Sequence, residues 1–170
     1  MASECFDGHA PSLFHPAFVA DCAALVGDVR LERDSSVWHH ATLRGDLAPI
    51  VIGEGSNIQD NACLHIDIDV GCYVGRWVTV GHSAVLHACT IEDDCLIGMG
   101  AIVLDGARVG RGSVVGAGAV VTKGMVIPPC SLVLGLPAKV VRDLGEESIR
   151  ANHAHALKYI EIARRFAQAR

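Results

Sequence analysis

Three of the nine histidines in this 170-residue chain interrupt an otherwise aliphatic pattern. They are His65, His82 and His87, in Leu64-His65-Ile66-Asp67 and Val80-Gly81-His82-Ser83-Ala84-Val85-Leu86-His87. Neutral imidazoles bind zinc at about 2.0 to 2.1 Å, and three of them leave one coordination position open, the catalytic rather than the structural arrangement. A water in that position has its pKa lowered to about 7 and supplies hydroxide near neutral pH. Upstream stand Leu43-Arg44-Gly45-Asp46 and Asn57-Ile58-Gln59-Asp60-Asn61. Arg44 can pair with Asp46 or with Asp60, and the Gln59 amide can orient a bound anion or water. The competing reading of these residues is structural: edge histidines held by hydrogen bonds, a salt bridge and a turn ladder. His9, His15, His39, His40, His153 and His155 read as surface or packing residues.

The elements that position these groups follow from a second pattern. From Ile91 onward every sixth residue is aliphatic: Ile91, Ile97, Val103, Val109, Val115, Val121, Ile127 and Val133. A step of six fits neither an amphipathic helix nor simple strand alternation, and it marks hexapeptide-repeat parallel β-helices, each hexamer giving one short strand and one turn. The second residue of a hexamer is often Gly (Gly98, Gly110, Gly116), read as a turn conformation other residues adopt at a cost. The fifth is small (Ala101, Ala107, Ser113, Ala119), as a narrow interior requires. The repeat runs upstream to Val19 with breaks at about 44–51, 65–73 and 87–90. If Leu64, Val74, Val80 and Leu86 are successive corners of one three-sided coil, Leu64 and Leu86 stack one rung apart. His65 and His87 then point the same way with backbones about 5 Å apart, within reach of one metal ion. His82 belongs to the preceding face, so a neighbouring subunit could present it, and three copies around a threefold axis would give three shared sites.

Bulk properties bound the alternatives. With 51% hydrophobic and 19% charged residues the chain is long enough for one well-buried domain. A net charge of -5 argues against a nucleic-acid partner. No apolar run approaches the roughly 18 to 20 residues of a membrane span, and residues 1–16 do not read as a secretory signal. Seven cysteines with no CxxC pair favour free thiols in a reducing compartment, hence the cytoplasm. Cys95, at a small fifth position, reads as a buried hydrophobe. Residues 1–145 form the β-helix domain in this reading. Residues 146–170 form one amphipathic helix packed on it, with Ile149, Ala156, Leu157, Ile160 and Phe166 at helical spacings. Glu146 and Glu147 at its start and Arg164, Arg165 and Arg170 near its end suit the helix dipole.

In order, the Arg44-Gly45-Asp46 and Gln59-Asp60 elements, the three histidines and Gly98-Met99-Gly100 closely resemble the γ-class carbonic anhydrases. The resemblance covers about residues 10–142. It implies a left-handed parallel β-helix, a homotrimer, and zinc (or iron or cobalt) at each subunit interface, with carbon dioxide and bicarbonate as substrate and product. By the same resemblance His65, His82 and His87 are the metal ligands, Arg44 and Asp60 make an intersubunit or site-shaping ion pair, Asp46 supports that network, and Gln59 lies beside the reacting oxygen. Tyr159 matches a tyrosine that some relatives place near the metal. The chain departs from the family where proton export is served: Leu47 replaces an acidic residue, and the excursion Ile66 to Tyr73 carries only Asp67 and Asp69. Two other functions share the repeat: acyl or nucleotidyl transfer, with metal-assisted thioester hydrolysis as a variant, and a non-catalytic assembly role.

Overall fold

The computed structural model describes residues 2–169; Met1 and Arg170, the last of the basic residues expected at the helix end, lie outside them. The chain winds into a left-handed parallel β-helix of about seven turns, closed by one C-terminal helix. Three flat faces repeat in order. The first contains Cys63–His65, Val85–His87, Ile102–Val103 and Val120–Val121; the second Cys72–Val74, Thr90–Ile91, Arg108–Val109 and Val126–Ile127. The third contains Phe18–Val19, Ser36–Val37, Asn57–Ile58, Thr79–Val80, Leu96–Ile97, Val114–Val115 and Ser131–Leu134. Two long strands, Ala24–Leu31 and Thr42–Ile52, cross the corner between the first and second faces.

The sixfold aliphatic pattern is the core itself. Leu43, Leu64, Leu86, Val103 and Val121 pair in register down the first face. They, with Ile52, Val74, Ile91, Val109 and Ile127 on the second and Val37, Ile58, Val80, Ile97, Val115 and Val133 on the third, are all buried. Three columns of branched side chains thus fill the prism, while Ala101, Ala107, Ser113 and Ala119 stay buried at the tight corners.

The glycine pattern needs a correction. It is the fourth residue of each hexamer that turns the corner in the left-handed region, at Gly100, Gly106, Gly112, Gly118 and Gly124. The second-position glycines are required by stacking instead: a Cβ on Gly98 would lie 2.5 Å from the backbone nitrogen of Ala117 on the next rung. The coil also begins before Val19, since Ala2–Glu4 and Ser12–Leu13 add parallel strands to Ala24–Leu31. Their polar and sparse aliphatic residues carry no sixfold signal.

The helix, Glu147–Gln168, lies along the third face against the strands from Phe18 to Val80. Its buried stripe is Ser148, Asn152, Ala156, Ile160 and Ala163. Of the residues expected to face inward, Leu157 is 44% and Phe166 45% exposed. Polar anchors replace them. Asn152 Nδ2 donates to the carbonyls of Asp94 (2.9 Å) and Gly112 (3.3 Å), and His153 Nδ1 meets Asp94 Oδ1 at 2.9 Å. The ring of Phe166 still rests edge-on against Trp38.

Candidate metal centre

Each break in the repeat has a structural form. At the first, the strand Thr42–Ile52 bulges around Gly45 to Pro49 and carries Asp46 outward. At the second, residues 66–71 form a small hairpin bridged antiparallel between Asp67 and Val70. At the third, the corner between Leu86 and Ile91 is one residue short and turns through Ala88 at φ 46°. All three lie at the corner between the first and second faces.

Ladder register brings Arg44, His65 and His87 into one column there, through the pairs Arg44↔His65 and His65↔His87. His65 Nδ1 lies 3.1 Å from His87 Nε2. The outer nitrogen of each ring faces a carboxylate: His65 Nε2 is 3.2 Å from Asp46 Oδ1, and His87 Nδ1 bonds Asp105 Oδ1. A carboxylate only accepts, so each outer nitrogen carries the proton. With both rings neutral, two lone pairs then face one another across 3.1 Å, an arrangement that a shared cation satisfies. Two nitrogens on a tetrahedral zinc stand about 3.3 Å apart at ordinary bond lengths, so the pair fits the group. Metal-bound histidines also commonly donate their second N–H to a carboxylate.

Arg44 pairs with Asp46, not with Asp60, within the chain. Burial pushes the Asp46 carboxyl up, but hydrogen bonds from its own backbone, Arg44 and His65 outweigh it and hold the carboxyl below its ordinary value. Asp105 is held low chiefly by the bond from His87, helped by Lys123 at 3.5 Å.

His82 sits elsewhere. It belongs to the corner between the third and first faces, with the strand Val85–His87 crossing the first face between it and His87. There His39, Asp60 and His82 form a second column: His82 Nδ1 is 2.9 Å and His39 Nδ1 3.3 Å from the Asp60 carboxylate. His82 therefore also has one nitrogen committed to a carboxylate and Nε2 free. Among the described residues no three His, Cys, Asp or Glu side chains of one chain converge on a single point. A cavity of about 220 Å³ beside His82 is lined by Gln59, Thr79, Met99, His155 and Tyr159 among others. Gln59 is buried and its Nε2 donates to Asn57 Oδ1 at 3.1 Å. Burial, then the Asp60 charge, push the Tyr159 phenol up, so it stays protonated.

The sequence-derived residues thus divide between two corners of one face: Arg44, Asp46, His65 and His87 on one, Gln59, Asp60, His82 and Tyr159 on the other. Sequence reasoning missed Asp105 and His39. The first was findable, because 18 residues, three hexamers, separate it from His87. All seven cysteines are free, and burial pushes the Cys95 thiol up to about 12.

Residues 88–123 match the family model for the bacterial transferase hexapeptide, six repeats. A Methanocaldococcus jannaschii protein named a probable carbonic anhydrase is 52% identical over 85% of this chain and 91% of its own. Arabidopsis thaliana γ carbonic anhydrase 2, a mitochondrial protein, is 41% identical over 91% of this chain, which spans 58% of the plant protein. The chain belongs to the γ-class carbonic anhydrase family. Within the wider fold, this γ-class chain superposes on a hexapeptide transferase family protein from Anaplasma phagocytophilum with a TM-score of 0.91, 39% identity and 96% of each chain covered. His65, His82 and His87 each have a carboxylate behind them, while Leu47 stands 56% exposed beside Asp46. No helix among the described residues is long and apolar enough to cross a membrane.

Proposed function

We propose that the protein is a zinc-dependent carbonic anhydrase that hydrates carbon dioxide to bicarbonate at the interfaces of a homotrimer. The observation that carries this reading is the pair of imidazole nitrogens facing each other at 3.1 Å, each ring braced by a carboxylate. His65 and His87 of one subunit and His82 of its neighbour would hold the metal. Zinc there would supply Lewis acidity, the means of making water nucleophilic near neutral pH. Iron or cobalt suits the same imidazole set.

The chain's own groups do the rest. Asp46, Asp60 and Asp105 hold the three rings in the tautomer that turns a lone pair toward the site. Arg44 keeps Asp46 ionised, and the charge it brings suits an anionic product. Gln59, with its NH2 given to Asn57, offers Oε1 to accept from the bicarbonate hydroxyl, and the neutral Tyr159 phenol offers a donor at the same cavity. With Leu47 apolar, the proton released in each turnover leaves through Asp67, Asp69 or dissolved buffer. The seven free thiols support a reducing, cytoplasmic setting.

Metal analysis and stopped-flow carbon dioxide hydration on zinc-loaded and chelated protein test the proposal. Zinc near one equivalent per chain, and a rate that rises with buffer concentration and disappears on chelation, are expected. A zinc-loaded trimer without hydratase activity would reject it. The likeness to a hexapeptide transferase supports a second reading, acyl transfer from or hydrolysis of an acyl-CoA with a histidine as base. Release of free CoA from acetyl-CoA, with no hydration, would favour that one.

A further inference from the structure

The candidate site rests against a buried chain of polar side chains that runs through the coil wall to the C-terminal helix. Gln59 Nε2 donates to Asn57 Oδ1 at 3.1 Å, Asn57 Nδ2 reaches Thr79 Oγ1 at 3.0 Å, and Thr79 Oγ1 lies 3.1 Å from His155 Nδ1. Gln59, Asn57 and Thr79 are almost fully buried, so the first two bonds are made out of reach of bulk water, while the bond to His155 is part-buried. The direction of the chain can be assigned. Asn57 Nδ2 also faces the backbone carbonyl of Val78 at 3.5 Å. A carbonyl only accepts, so the NH2 group of Asn57 points to Val78 and Thr79, and its oxygen points to Gln59. Gln59 must then present its own NH2 to Asn57. Thr79 Oγ1, accepting from Asn57, still holds its own proton, and His155 Nδ1 at 3.1 Å takes that proton when the nitrogen is unprotonated.

We propose that His155 is a positioning residue for Gln59: its Nδ1 is unprotonated and takes the Thr79 proton, which keeps a lone pair of Thr79 Oγ1 on the Asn57 NH2 and so steadies Gln59 with Oε1 toward the cavity. Gln59 lines the cavity, and with its Nε2 given to Asn57 its Oε1 is the acceptor a molecule bound there would meet. Burial, then the Lys158 charge, lower the His155 pKa and keep the ring neutral, as the acceptor role requires. The other titratable neighbours are Tyr159, whose ring centroid is 5.3 Å away, and His82 across the cavity. The assignment of Gln59 to the reaction rests on the function proposed above; the direction of the chain does not.

Three variants test it in the metal-free trimer, before any assay: His155→Leu removes the acceptor, His155→Asn keeps one, and Thr79→Val cuts the chain while preserving shape. Nitrogen NMR should show His155 Nδ1 unprotonated at neutral pH. Exchange of the Gln59 side-chain NH2 with solvent should quicken about fivefold in His155→Leu and Thr79→Val, the loss of one hydrogen bond, and return to wild type in His155→Asn. A protonated Nδ1, or equal exchange in His155→Leu and His155→Asn, would overturn the proposal. In zinc-loaded protein the two cut variants should lose turnover at unchanged metal content. A loosened amide with full turnover would uphold the chain and remove Gln59 from the reaction.

Discussion

His87 is the side chain through which most of the site is held. Its register with His65 sets one nitrogen, and Asp105 holds the other. Asp105 touches no substrate, yet it decides which nitrogen of His87 carries the proton, and outer-shell partners of this kind are commonly worth ten- to a hundredfold in metal affinity. Asp105→Ala should therefore weaken zinc binding by about that factor while the protein stays folded, as measured by competition with a chromophoric chelator. Unchanged affinity would mean that the carboxylate merely caps the corner. His65, His82 and His87 were legible as candidate ligands from the sequence. Asp105 was overlooked because it sits inside an unbroken stretch of repeat, where a polar side chain reads as an ordinary turn residue.

At the level of elements, parallel stacking turns sequence separation into vertical distance. One coil takes three hexamers, so a charge on one rung meets the residue a coil later. Arg76 and Asp93 form such a pair: the Arg76 backbone N–H reaches Asp93 Oδ1 at 2.8 Å and its guanidinium reaches Oδ2 at 2.8 Å. Burial raises the Asp93 pKa, but these bonds outweigh it and leave the carboxyl below its ordinary value. A carboxyl with a depressed folded pKa stabilises the fold fully above its unfolded value near 4, and that contribution is lost as pH falls through the folded value. Asp93→Asn should lower the melting temperature at neutral pH and converge with wild type in strong acid. Parallel melting curves across the whole acid range would contradict this. The same stacking rule made the coil legible from Ile91 to Val133, whereas the helix was read only in part. Its spacing identified the element but not its buried stripe, because the anchors of Asn152 and His153 lie on Asp94, 58 and 59 residues away in sequence.

At the scale of the molecule, the proposed metal site draws on more than one chain. His82 occupies one edge of the first face and His65 with His87 the other, and among the described residues no three possible ligands come together. A second copy supplies what is missing if the edge of one prism meets the opposite edge of its neighbour. Subunits carrying His65→Ala and subunits carrying His82→Ala should each be inactive alone. Refolded together, they should regain a fraction of the zinc content and activity, since some interfaces then receive all three histidines intact. No recovery, with subunit exchange verified by mass spectrometry, would show that each site is built from one chain.

By itself the sequence determined the period, and with it the coil, the inward aliphatic columns and the places where the coil is interrupted. Those are local properties, repeated every six residues, and a repeated pattern needs no distant contact to be read. Tertiary structure decided the pairings that join rungs and elements: which nitrogen of each histidine is free, that Arg44 takes Asp46, that Asp60 takes His82 and His39, and that a helix at the end of the chain reaches back to the wall behind Gln59. Each of these depends on how many residues a given corner consumes, and one residue more or less shifts every side chain that follows to a different neighbour.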